Sequence, residues 1–265
     1  MAQWMELPLV GLDTETTGLS VTEDRIFEIA VVTFQGDTVT DPFCEMMDPT
    51  RPLSEASLEK TGVTDADLKG RPTFAHFAAG IVQRIQGQVV VGYNVLGYDL
   101  PLLQAELRRV GLELPKCHVV DVLVFARGLM PGNRHRLEEA VRHFGVTMDT
   151  AHRATADAEA TVRLLRAMAP SLPADLDDLL RLQSQWQAEQ RARRAMWRSK
   201  PDEGNREVLR GDMAPSAGLT DEKGRPSLGP SYLYGKEIDP LRAFLQSWFN
   251  TIPARDPSRT EGGGR

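Results

Sequence analysis

Apolar and polar positions follow two rhythms along the chain. Residues 7–47 read as three strands. The first opens on Leu7-Pro8-Leu9-Val10-Gly11-Leu12, a nearly unbroken apolar run that suits a buried strand. The second spans residues 25–34 and carries Ile26, Phe27, Ile29, Ala30, Val31 and Val32. Gly36-Asp37 then supplies a hairpin turn into a third strand at 38–47. The rhythm next becomes helical. Residues 54–60 predict a short helix capped by Ser54, with Gly62 just beyond its end. Phe74, Phe77, Ala78, Ile81, Val82 and Ile85 recur at helical spacing over 74–86. An apolar strand follows at 88–95. Helices are then predicted at 100–110, 122–129, 135–144 and 155–169, interrupted by a short strand at 118–120. Strands first, then alternating helices and strands, imply an α/β fold: a mixed sheet with helices packed on it.

The pattern changes after Pro170. Residues 172–198 predict one long helix with Leu176, Leu179, Leu180, Trp186 and Met196 among its apolar positions. Residues 199–235 are rich in Gly, Pro and charge and read as a linker or extended arm. A short amphipathic helix is predicted at 240–249, and 261–265 reads as a frayed tail. The expected organisation is a domain at 1–170, a long helix at 171–198 and an arm at 199–265.

The first strand ends in Asp13-Thr14-Glu15-Thr16-Thr17-Gly18. Residues two apart in a strand share a face, so Asp13 and Glu15 aim at one point, with no cation nearby in sequence. Like charges held this close repel unless one takes a proton or a cation arrives. Hard divalent ions such as Mg²⁺ and Mn²⁺ favour such oxygen ligands. A strand end with an Asp cap and a Gly turn would look the same from this segment alone.

Composition narrows the setting. Cys44 and Cys117 form no disulfide framework and lack metal-site spacing, which fits a reducing compartment. The N-terminus lacks the pattern of a signal peptide, and no stretch approaches ~20 apolar residues. A soluble, cytoplasmic protein with no membrane partner is expected. The net charge of −6 argues against a surface coated with basic residues for gripping duplex DNA. It is unevenly placed: residues 171–265 carry 15 Lys and Arg against 14 Asp and Glu, leaving 16 against 23 for residues 1–170. Excess carboxylates that hold metals are compatible with a polyanion in a local groove.

Two more segments bear carboxylates. In Val91-Gly92-Tyr93-Asn94-Val95-Leu96-Gly97-Tyr98-Asp99-Leu100, a strand ends near Asn94 and Asp99 stands at the head of a helix, a good capping position. In His152-Arg153-Ala154-Thr155-Ala156-Asp157, a helix opens at Ala154 or Thr155, with His152 in the loop before it and Asp157 in its first turn.

Taken in order, these blocks resemble the three motifs of the DEDDh exonucleases. Asp13-x-Glu15 with Thr16-Thr17-Gly18 is similar to the first motif, Asn94-x-x-x-Tyr98-Asp99 to the second, and His152-x-Ala154-x-x-Asp157 to the third. The resemblance covers residues 7–170. The tyrosine branch of the superfamily places Tyr four residues before the last Asp. Arg153 stands there, so the histidine branch matches better. Many relatives have His in place of Tyr93 and one residue fewer between Asn94 and the aromatic; neither departure touches a ligand position.

The resemblance implies a ribonuclease-H-like fold and metal-dependent 3′→5′ hydrolysis of nucleic acid ends. It is similar to the proofreading epsilon subunit of bacterial replicative polymerase and to stand-alone repair exonucleases. Asp13 would bridge two Mg²⁺ or Mn²⁺ ions, Glu15 and Asp157 would support the nucleophile side, and Asp99 the leaving-group side. His152 would be the general base. Leu19 could wedge between terminal bases, backbone groups around Thr14, Thr16 and Thr17 could meet the 3′ hydroxyl, and Tyr93, Asn94 and the loop Lys60-Thr61-Gly62-Val63-Thr64 could wall the channel.

The expected substrate is a single-stranded 3′ end, DNA ahead of RNA, although nothing in the motifs separates deoxyribose from ribose. A non-catalytic end-binding or polymerase-tethering module is the other class. Asp121 is expected to cap the helix at 122, and His135 and His143 to lie on a helix in solvated or packing roles. The basic residues between Arg191 and Lys200 read first as a solvated helix end and second as a phosphate track. Leu245-Gln246-Ser247-Trp248-Phe249 is similar to a sliding-clamp-binding peptide, and equally to a generic docking helix for a polymerase.

Overall fold

The computed structural model describes residues 2–130, 132, 134–148 and 153–198. The predicted arm at 199–265, its helix at 240–249, Lys200 and His152 lie outside the described residues. Among the described residues five strands form one mixed sheet: β1 (Leu9–Thr16), β2 (Ile26–Gln35), β3 (Thr38–Met46), β4 (Val89–Gly92) and β5 (His118–Asp121), in the order β3-β2-β1-β4-β5. β2 runs antiparallel to β1 and β3, whereas β4 is parallel to β1 and β5. The helices are α1 (Glu55–Thr61), α2 (Asp65–Leu68), α3 (Phe74–Ile85), α4 (Asp99–Arg109), α5 (Val122–Leu129), α6 (Leu137–His143), α7 (Ala154–Met168) and α8 (Leu176–Arg198). This is the mixed sheet with packed helices that the order of elements predicts, and it matches the ribonuclease-H-like fold that the resemblance implies. No described helix is long and apolar enough to cross a membrane.

Several boundaries move for local reasons. The strand predicted over 88–95 stops at Gly92, because Asn94 has a φ of 65°, a left-handed conformation that Asn tolerates better than most side chains. His135 precedes α6 rather than lying on it; its Nε2 is 2.8 Å from the Met130 carbonyl oxygen. The long helix begins at Leu176, after a 3-10 turn over Ala169–Ser171, because Pro173 cannot sit inside a helix. Asp175 caps it by accepting from the N–H groups of Asp177 and Asp178. α2 has no counterpart among the predicted elements, although Thr64 and Asp67 form a reciprocal capping box that closes it.

The two faces of β1 have different neighbours. Leu9 and the face-sharing residues of β2, Ala30, Val32 and Phe34, belong to one core with Ala154, Ala158, Val162 and Leu165 of α7. Gly11 lies on that face: a Cβ there would stand 2.9 Å from the Ala158 carbonyl oxygen and 3.1 Å from Val162. The missing side chain and the alanines of α7 let helix and strand backbones approach closely. That approach carries Asp157, one residue before Ala158, toward the end of β1. Gly11→Val is expected to overpack this contact at a cost of about 1–3 kcal/mol. The readout is a lower urea midpoint with an unchanged m-value. An unchanged midpoint would contradict the account.

α8 closes the far side of the sheet. β5 is an edge strand, and edge strands present unpaired backbone groups. The buried side chain of Gln183 meets this edge as another strand would: its Oε1 accepts from the Asp121 N–H at 2.7 Å and its Nε2 donates to the Val119 carbonyl at 3.0 Å. Trp186 packs edge-on against Phe125 and over Gly128, where a Cβ would fall 2.1 Å from its ring. The first half of the long helix is therefore part of the folded body.

Candidate active site

The end of β1 is bent. Its pairing with β2 shifts between Glu15 and Thr16, an irregularity of the kind that re-aims side chains at strand ends. Asp13 and Glu15 project from the α7-facing side, and Asp157 arrives in the first turn of α7. Asp13, Glu15 and Asp157 each offer a ligand atom, and these atoms all lie within 4.8 Å of one another.

Asp99 comes from the opposite side of the strand. It is the first residue of α4 rather than its cap, Tyr98 holding the N-cap position. One of its oxygens accepts from the Thr14 N–H at 3.1 Å and the Thr14 hydroxyl at 2.7 Å. The carboxylate that a helix head would otherwise spend on capping is thus tied to β1, next to Asp13.

Electrostatics follow from this crowding. Burial, then the Asp99, Asp157 and Glu15 charges, hold the Asp13 pKa well above the ordinary carboxylate range, with Lys60 opposing them. Burial pushes Asp99 up to about 7 despite the Thr14 hydroxyl bond. Carboxyls that resist ionising alone are the oxygen donors a divalent cation would stabilise in their charged form. A counter-cation already stands in the cluster: Lys60 Nζ lies 3.0 Å from both Glu15 carboxylate oxygens. The donor set fits a hard divalent ion.

The other motif residues shape the surroundings. Thr14, Thr16 and Thr17 are buried and already engaged. Thr16 shares its hydroxyl with the Tyr98 phenol at 2.7 Å, and Thr17 donates to Asp24 at 2.7 Å. The Tyr98 phenol also donates to the Gly18 carbonyl, joining the second motif to the loop after the first. Asp24 fills the space beside Gly18, where a Cβ would lie 2.6 Å from its carboxylate. Arg109 braces the loop by donating to the carbonyls of Thr22 and Asp24, and the fully buried Glu106 pairs with both Arg25 and Arg109. On this braced loop the Leu19 side chain is 47% exposed and open to a ligand.

Val63, in the loop after α1, packs with Phe27 and Leu68 in a small core. Tyr93 is half-buried and its hydroxyl donates to the His135 carbonyl at 3.0 Å. Asn94 contributes its backbone: its N–H donates to Asp121, and its carbonyl accepts from Gly97 and Tyr98. Asp121 caps α5 through the Leu123 N–H while also accepting from Leu96. Arg153, at the tyrosine-branch position, forms an ion pair at 3.0 Å with buried Glu28 on β2. This pair fixes the start of α7 directly after His152. Motif reading places Lys60 in a candidate channel wall and Tyr98 as the motif's aromatic, but foresees neither the Lys60–Glu15 ion pair nor the Tyr98–Thr16 bond. No local signal marks the Lys60 contact, because it lies 45 residues from Glu15 in sequence.

Comparison with known proteins places the chain among exonucleases. The exonuclease family profile, RNase T type, matches residues 10–165. The PolC-type DNA polymerase III of Lacticaseibacillus paracasei is 37% identical over 160 residues, which is 60% of this chain and 11% of that polymerase. The PolC-type polymerase of Streptococcus thermophilus is 36% identical over 161 residues, again 60% and 11%. The chain thus spans about a tenth of the length of these curated relatives. Among solved structures, E. coli exonuclease I in complex with a dA16 oligonucleotide superposes with a TM-score of 0.57 at 20% identity, covering 64% of this chain and 42% of that one. A zinc-bound form of the E. coli exonuclease I complex with single-stranded DNA gives a TM-score of 0.56 at 21% identity, covering 62% and 41%. At these identities the structural likeness speaks to the fold.

Proposed function

The chain belongs to the exonuclease family, and on that premise we propose that it is a divalent-metal-dependent 3′→5′ exonuclease releasing 5′-mononucleotides from single-stranded DNA. The observation that carries this reading is the convergence of Asp13, Glu15 and Asp157 within 4.8 Å. These three would hold one Mg²⁺ or Mn²⁺ ion. Asp99, set beside Asp13 by Thr14, extends the donor set toward a second. Bound ions supply charge neutralisation for the attacking and departing oxygens of the phosphodiester.

The remaining chemistry falls to the chain's own side chains. His152 takes the proton from the attacking water, a task suited to a group that titrates near neutrality. Leu19, held out on its braced loop, stacks against the terminal bases without reading their sequence. The E. coli structure named for its dA16 ligand supports single-stranded DNA as the substrate class. The polymerase relatives support a proofreading or repair role. The docking segment at 245–249 is then the part of the chain that meets a polymerase or clamp.

Matched 5′-labelled DNA and RNA oligomers, digested in parallel with Mn²⁺, test the reading. The expected result is stepwise shortening from the 3′ end, faster on single-stranded DNA than on RNA or on a paired end. Faster cleavage of RNA would move the substrate to ribonucleic acid. No cleavage of any oligomer would leave an end-binding module.

A further inference from the structure

Lys60 is placed for more than a static ion pair. It stands in the last turn of α1, and that helix is fastened to the end of β1 at two points. The Ser57 hydroxyl donates to the Thr16 carbonyl at 2.7 Å, and the Ser54 N–H donates to the Thr17 carbonyl at 2.9 Å. The Lys60 backbone is therefore held at a constant distance from the carboxylates, while its side chain remains 48% exposed. The Glu15 side chain beneath it is only 5% exposed, and both of its oxygens are taken by the ammonium. A divalent ion that takes up Glu15 competes with this ammonium, because the ammonium already contacts both carboxylate oxygens and the two cations repel at that distance. A lysine is a compact charge on a flexible stem, so the exchange requires no backbone movement.

We propose that Lys60 is an exchangeable counter-ion. It neutralises Glu15 in the metal-free protein, leaves when a divalent ion binds, and then pairs with a phosphate of the incoming single strand. This rests on the metal-dependent reading above and deepens it by adding a substrate contact that only the loaded site offers. The exchange also gives the site a reason to remain folded without metal, since one of its carboxylates is never left uncompensated.

The test measures binding rather than turnover, in the full-length protein. Mn²⁺ affinity by electron paramagnetic resonance is compared for wild type, Lys60→Met and Lys60→Arg. Changes beside a metal ligand shift affinity by about 10–100-fold, and Lys60→Met is expected to bind Mn²⁺ at least about tenfold more tightly, with Lys60→Arg close to wild type. Binding of a phosphorothioate single strand is then followed against salt with Mn²⁺ present. Loss of one phosphate contact is expected to flatten the log–log slope of Lys60→Met by about 0.7. Wild-type Mn²⁺ binding with unchanged or weaker affinity in Lys60→Met overturns the exchange while sparing the metal reading. An unchanged salt slope overturns the phosphate contact. Absence of Mn²⁺ binding in all three proteins overturns the metal reading and the exchange with it.

Discussion

Asp13→Asn is expected to lower hydrolysis at saturating Mn²⁺ by about 10³-fold or more. Metal charge stabilisation of a phosphodiester transition state is worth several kcal/mol, and each 1.36 kcal/mol is tenfold in rate. The amide keeps the shape of the side chain but loses the charge that would sit centrally among Glu15, Asp157 and Asp99. Single-turnover digestion of a labelled single strand checks this, and residual activity within tenfold of wild type would remove Asp13 from the centre.

The same substitution should act on stability in the opposite direction. Asp13 and Asp99 have folded-state pKa values above their unfolded ones, Asp99 at about 7. Between the unfolded value and the folded value the native protein binds more protons than the unfolded chain, so stability falls as pH rises. The stability these groups contribute is complete below about pH 4 and is lost as pH climbs through 7. Without metal, the wild-type protein should therefore melt at a lower temperature at pH 8 than at pH 6. Asp13→Asn should flatten that dependence, because it removes the charge that the cluster resists. A divalent ion should flatten it too, by favouring the ionised carboxylates. Thermal unfolding across this range, with and without Mn²⁺, gives the answer, and a metal-free midpoint that rises toward pH 8 would contradict the electrostatic account.

His152→Ala is expected to cost about 10²–10⁴-fold in turnover, the usual worth of a positioned general base. Mn²⁺ affinity should stay within about twofold of wild type, because imidazole is not among the oxygen donors assigned to the ions. The wild-type rate should rise with pH as the base loses its proton, and the variant should lose that limb. These readouts separate a base from a structural loop residue, which would lower activity without changing the shape of the pH profile. An ion pair with buried Glu28 anchors Arg153, the residue next to His152 in sequence, to β2. Turnover of His152→Ala equal to wild type would take His152 out of the mechanism.

Legibility in the sequence tracks the range of the interaction. The apolar run at 7–12, the Gly36-Asp37 hairpin and the Ser54 and Asp121 caps are settled within a few residues of chain, and the folded protein keeps each of them. Where the reading slips, a local competitor is usually to blame. Asn94 ends β4 early through its left-handed backbone, and Pro173 delays α8. Asp99 shows the opposite case. Its position favours a cap, and only the Thr14 hydroxyl and N–H, 85 residues away in sequence, draw it to β1. Val63 is another: its loop position gives no local sign that it packs against Phe27 and Leu68.

By itself the sequence determined the order and type of the main elements, because period-two and helical patterns and their caps depend on residues near one another in the chain. It also determined the carboxylate inventory, because the chemistry of each motif is carried by side-chain identity and short spacing. Tertiary structure alone decided which charges meet. Lys60 reaches Glu15 across 45 residues, Gln183 closes the edge of β5 across 62, and Arg153 finds Glu28 across 125. Each contact depends on how strands and helices stack. Gly11 is the hinge between the two levels: one absent side chain lets α7 settle on β1 and bring Asp157 to Asp13.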